Sequence, residues 1–121
     1  NKVLVLVSAK PLLAPNSKSW AGSLLNKFNI DNSTKKLISK SEFKGYVNLS
    51  PEWLISNQPS QIIIVKTGPD SPSSYTELPY WKKLTAIKNN NVTYMDYYGL
   101  VNPGSLDSIN KTCMTLSKIK K

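Results

Sequence analysis

Ser50 to Gly68 reads SPEWLISNQPSQIIIVKTG, and this stretch decides the fold. Ser50 is placed to cap a helix, Pro51 suits the first helical position, and Glu52 sets a negative charge in the first turn, where the helix dipole favours it. Trp53, Leu54 and Ile55 supply an apolar side. Asn57, Gln58 and Pro59 end the helix, because proline disfavours helical backbone in the residue before it. Ile62, Ile63, Ile64 and Val65 then form an apolar, β-branched run with no polar alternation. Such a run suits a strand buried on both faces, as in a parallel sheet covered by helices. A helix feeding straight into such a strand is an α/β unit.

Working outward, Lys2 to Ser8 (KVLVLVS) is a second continuous apolar run and a second buried strand. Ala9 to Ser19 reads as a loop, with Pro11, Pro15, Asn16 and Ser17. Ligands of open α/β sheets bind beyond the carboxyl ends of strands, so this loop, with Lys10, Lys18 and Trp20 beside it, lies on the potentially functional edge. A helix is expected from Trp20 to Phe28, a weak strand over 35–41, and a loop from Glu42 to Asn48 carrying Phe43, Lys44 and Tyr46. Lys66 to Ser74 is rich in turn residues, but with one glycine and no following Gly-Lys-Ser/Thr it is not a phosphate cradle. A further helix is expected from Pro79 to Lys88, with Leu84 and Ile87 on one face and Asn89 to Asn91 ending it. Val92 to Met95 is a short strand, Asp96 to Gly104 a loop, and Ser105 to Lys120 an amphipathic helix with Leu106, Ile109, Cys113 and Leu116 on its apolar stripe. The alternation predicts a single α/β domain over residues 1–121. It is Rossmann-like and three-layered, with a mostly parallel sheet of about four strands and helices on both faces.

Composition narrows the function. A chain of 121 residues with 40% hydrophobic residues is one folded domain, and no apolar run approaches the length of a membrane helix. With no histidine and one cysteine, Cys/His metal sites, Cys/His nucleophiles and Ser-His-Asp triads are excluded within this chain. Cys113 falls on an apolar stripe, where a thiol is expected to be buried. The net charge is +9, and all sixteen basic residues are lysine. This charge would attract an anionic partner, or it reflects a composition biased towards Lys, Asn and Ile. The absence of arginine removes the bidentate fork for guanine or phosphate. The chain starts at Asn1, directly before a strand, as a processed or trimmed product would.

The Ser50 to Val65 stretch resembles a motif of the periplasmic binding proteins that serve ABC importers of ferric siderophores, haem and cobalamin. There, Ser-x-Glu is followed by an apolar pair, a proline and an apolar strand, once in each lobe. Here it stands as Ser50, Glu52, Leu54, Ile55, Pro59 and then Gln61 to Val65, with Ser60 where the family has Asp. Trp81, Leu84, Ala86, Ile87 and Val92 match a second phrase of the family, and Asn102-Pro103-Gly104 matches the turn before its final helix. The resemblance covers nearly the whole chain and implies the C-terminal lobe of a two-lobed protein whose N-terminal lobe is missing. The implied function is the extracytoplasmic capture of an iron-siderophore, haem or cobalamin-type ligand and its delivery to a membrane permease. The implied place is the periplasm or outer membrane face, lipid-anchored through the missing N-terminus. By position in the family, Tyr46, Asp96, Tyr97 and Tyr98, with Trp20 and Lys66, become the ligand-binding candidates, and Glu52 the residue that docks on the permease. Tyrosine supplies a flat rigid face and a hydroxyl donor. No catalytic residue, cofactor or resident metal is implied. A basic α/β module binding nucleic acid is the alternative, although nucleic acid is not the expected partner. A small flavodoxin-shaped enzyme is a weaker rival, for want of a phosphate loop or an acid/base pair.

Overall fold

The computed structural model describes residues 2–9, 12–34, 45–66, 75–101 and 104–119. Strands β1 (Lys2–Leu6), β4 (Asp31–Asn32), β6 (Gln61–Lys66) and β7 (Val92–Asp96) form a fully parallel sheet in the order β4-β1-β6-β7. From β1 the chain steps to β4 on one side and then to β6 on the other. The direction of winding therefore reverses between β1 and β6, the position where open α/β sheets form a crevice.

The two uninterrupted apolar runs are the centre of this sheet, and their alternation shows why no polar residue is tolerated in them. Val3 and Val5 of β1, with Ile63 and Val65 of β6, point to one side, into a core shared with Ala21, Leu24 and Leu25 of helix α1 (Trp20–Lys27). Leu4 and Leu6, with Ile62 and Ile64, point to the other side, into a core with Leu54, Trp81 and Leu84. A strand covered on both sides must be apolar at every position.

Helix α2 (Pro51–Ser56) begins as expected: the backbone N–H of Trp53 donates to Ser50 Oγ at 3.1 Å, and Pro51 and Glu52 occupy the first turn. α1 is capped in the same way by Ser19, whose hydroxyl accepts from the Gly22 N–H at 2.9 Å and itself donates to the Asn16 carbonyl. Gly22 is required there, because a Cβ would strike the Asn16 backbone.

Elsewhere the structure corrects the expectations. The supposed loop from Ala9 to Ser19 contains strand β3 (Leu12–Pro15), and the supposed loop before Asn48 contains strand β5 (Tyr46–Leu49). With β2 (Ser8–Ala9) they form a second, antiparallel sheet in the order β2-β3-β5. Leu12 opposite Leu49 and Ala14 opposite Val47 bury one face of it in the second core, and that cross-strand packing outweighs the turn-like composition. The expected Pro79–Lys88 helix is broken at Leu84, whose ψ of 134° is extended. A 3-10 turn (Trp81–Lys83) precedes the break and helix α3 (Thr85–Lys88) follows it. The break lets both Trp81 and Leu84 reach the core, and Gln58 Oε1 accepts from the Thr85 N–H at 2.9 Å at the restart. The asparagines do end α3, with Asn90 at φ 57°.

After β7 the chain makes one kinked turn, α4 (Tyr97–Leu100), where only a loop was expected, and then helix α5 (Leu106–Ser117). The stripe expected on α5 is covered only in its later part. Leu116 is fully buried and Cys113 is half-buried against the core, not fully buried as expected, while Leu106 is 78% exposed. α5 starts at the carboxyl edge, and its later turns are the ones that reach back along the sheet. The last helix ends at Ser117, with Lys118 as its C-cap, short of the expected Lys120. The expected strand over 35–41, Lys10, Phe43, Lys44, the turn over 67–74, Asn102 and Pro103 lie outside the described residues.

Candidate functional site at the carboxyl edge

β6 and β7 end together. Lys66 and Asp96 are the last pair in their register, and Lys66 Nζ lies 3.3 Å from Asp96 Oδ1. Both side chains are solvated, so the pair contributes little to stability, about 0–1 kcal/mol, and it leaves a charged group of each sign at the edge.

Directly after Asp96, α4 presents two tyrosines in different states. Tyr97 is half-buried against the first core, whereas Tyr98 is 58% exposed. Their rings meet edge to face, with centroids 5.2 Å apart and planes at 87°, the arrangement favoured by the ring quadrupoles. The kink depends on Gly99, at φ 101°. A Cβ there would strike the Ser108 carbonyl and the Thr112 hydroxyl, so α4 presses directly on α5. The Gly99 carbonyl accepts from Trp20 Nε1 at 3.0 Å, which ties the first residue of α1 to the same turn.

Tyr46 arrives from the antiparallel sheet. It pairs with Pro15 in β3, and the residue before it, Gly45, accepts from the Asn16 N–H at 2.8 Å close to the α1 cap. The Tyr46 ring packs on the same core as Tyr97. Its hydroxyl is pushed up to about 12, first by burial and then by the neighbouring Tyr97. Trp20, Tyr46, Tyr97 and Tyr98 thus belong to one aromatic surface, with Lys66 and Asp96 beside it. Glu52 stands elsewhere. It is exposed in the first turn of α2, whose Leu54 packs into the core on the opposite side of the parallel sheet.

From this surface a groove of about 770 Å³ continues between β7 and α5. Lys66, Asp96, Tyr97 and Tyr98 line one part of it. The rest is lined by residues not expected from the sequence, among them Tyr94, Ser108, Lys111, Thr112 and Thr115. Their signal was available: Ser108, Lys111, Thr112 and Thr115 recur at three- and four-residue steps and form a polar face on α5. Among the described residues, no group of three or more His, Cys, Asp or Glu side chains could hold a metal ion. Nor is any helix long and apolar enough to cross a membrane.

Solved structures share this architecture. A TroA-like periplasmic binding protein, FepB, from Veillonella parvula superposes with a TM-score of 0.73 at 18% identity, over 97% of this chain and 38% of that one. A possible iron-binding (periplasmic solute-binding) protein from Staphylococcus epidermidis gives 0.71 at 19% identity, over 97% and 45%. The periplasmic vitamin B12 binding protein BtuF of Vibrio cholerae gives 0.66 at 20% identity, over 95% and 43%. The fold is shared with part of each of these three periplasmic proteins. The chain spans less than half the length of each of these three. No protein-family model matches the sequence, and no curated protein does.

Proposed function

We propose that this chain is the C-terminal lobe of an extracytoplasmic substrate-binding component of an ABC importer. It would form one wall of a cleft that captures an iron-siderophore, haem or cobalamin-type ligand, and the complete protein would deliver that ligand to a membrane permease. The observation that carries this reading is the aromatic surface of Trp20, Tyr46, Tyr97 and Tyr98 at the carboxyl edge, on a fold shared with solute-binding proteins. Flat, half-exposed rings with hydroxyl groups suit a large ligand that is itself partly apolar. Glu52, exposed in a separate layer, is available to a second partner while ligand occupies the edge.

The test is a fluorescence titration of the complete protein with a ferric siderophore, haem and cobalamin. One of the three should bind saturably, and Tyr98→Ala should weaken that ligand about tenfold, the scale of losing a well-packed aromatic contact. Glu52→Ala should leave affinity unchanged and lower uptake in cells. Failure of all three ligands to bind would end the proposal, whereas unchanged uptake in the Glu52 variant would remove only the docking role.

A further inference from the structure

The groove between β7 and α5 has its own chemistry, distinct from that of the aromatic surface. β7 is the outermost strand of the parallel sheet, and the α5 face beside it carries Ser108, Lys111, Thr112 and Thr115. A helix packed beside a sheet ordinarily turns apolar residues that way, yet Thr112 in this polar stripe is only 4% exposed. Lys111 is exposed, and among the described residues no carboxylate pairs with its ammonium group. Lys66 contributes a second ammonium group from the end of β6, and Asp96, 3.3 Å from Lys66, is the one carboxylate among the described lining residues. Among the described lining residues the balance is therefore net positive, in a chain that carries +9 overall. The exposed Lys66–Asp96 pair is weak enough for a ligand anion to displace it.

We propose that this groove binds a small oligoanion, with one negative group at Lys66 and another at Lys111. Lysine is a point charge with three rotatable donors, and without an arginine fork the site suits separate single anionic groups. Carboxylates and phosphates share this chemistry. The inference rests on the proposed binding role for the location of the site, and it needs only this chain.

The test is calorimetric titration of the 121-residue chain with citrate and with pyrophosphate at low ionic strength, alongside Lys111→Gln and Lys118→Gln. Lys118 is exposed at the end of the same helix but lines a different groove, with Ser60 and Asn91, so its variant reports the general positive field. The expected result is saturable binding of at least one probe, about tenfold weaker in Lys111→Gln, as for the loss of a charged hydrogen bond, and nearly unchanged in Lys118→Gln. Binding of citrate alone would assign the site to carboxylates, and of pyrophosphate alone to phosphates. Equal losses in the two variants, or no saturable binding of either probe, would overturn the site. The import reading is tested separately by Tyr98→Ala and its three ligands, so the failure of one is distinguishable from the failure of the other.

Discussion

In the middle of the sheet, Val5, Ile62 and Ile63 are completely buried and belong to cores of apolar side chains on either side. At the carboxyl edge of the same sheet, Lys66 and Asp96 are solvated, Tyr98 is more than half exposed, and the backbone at Gly99 has positive φ. The interior is held by area removed from water, which is large and insensitive to direction. The edge is held by single directional contacts: the Trp20 to Gly99 hydrogen bond, the Tyr97 to Tyr98 ring contact and the press of α4 on α5. Stability is concentrated in one region and exposed chemistry in the other, and substitutions can test how sharply the two divide.

Ile63→Ala should have the largest effect, a loss of about 2–5 kcal/mol in urea unfolding, from lost burial and the cavity left behind. A loss of well under 1 kcal/mol would show that the interior can collapse around a hole and would blur the contrast. Gly99→Ala should cost about 1–3 kcal/mol, because alanine is strained at that φ and its methyl would meet the Ser108 carbonyl. Its accompanying signature should be a change in tryptophan emission as the Trp20 hydrogen bond to Gly99 is lost. An unchanged unfolding midpoint would mean that α4 moves freely off α5.

Tyr75→Phe probes a flaw inside the interior. Tyr75 is 1% exposed and among the described residues its hydroxyl has no hydrogen-bond partner; burial pushes its pKa well above the ordinary value for tyrosine. Removing that hydroxyl should be neutral or stabilise by up to about 1 kcal/mol in urea unfolding, since an unsatisfied buried donor is lost and the ring keeps its contact with Trp81. A clear destabilisation would reveal a partner for the hydroxyl.

The narrowest effect, confined to alkaline pH, concerns Tyr46. Its pKa is raised in the folded chain from 10.0 to about 12, so the fold retains the phenolic proton to higher pH than the unfolded chain does. The associated stability is complete below pH 10 and is lost as pH rises through 12. Thermal melts across that range should fall more steeply for the wild type than for Tyr46→Phe, and parallel curves would place Tyr46 in a more solvated setting.

Much of this fold could be read in advance where one physical demand acted alone. KVLVLVS and QIIIVK are apolar at every central position, and only a strand covered on both faces requires that. Ser50-Pro51-Glu52 and Asn89 to Asn91 mark helix ends because capping and positive φ are local properties of those residues. The antiparallel sheet escaped notice because Leu12 to Pro15 and Tyr46 to Leu49 are short, carry a proline or an asparagine, and gain their strand character from each other across a long separation in sequence. The break at Leu84 was equally hidden, since the local pattern favours a continuous helix and only the positions of two cores of finite depth decide otherwise. The polar stripe on α5 is a local pattern, but only the neighbouring β7 makes it one wall of a groove.

The alternation of buried strands and capped helices is written in the chain locally, because burial on both faces and capping are demands that each segment meets within its own residues. That Trp20, Tyr46, Tyr97 and Tyr98 share one edge, that Lys66 meets Asp96, and that Lys111 faces a groove emerges only on assembly. These residues are brought together by strand order and register, and those are properties of the assembled sheet that no single segment encodes.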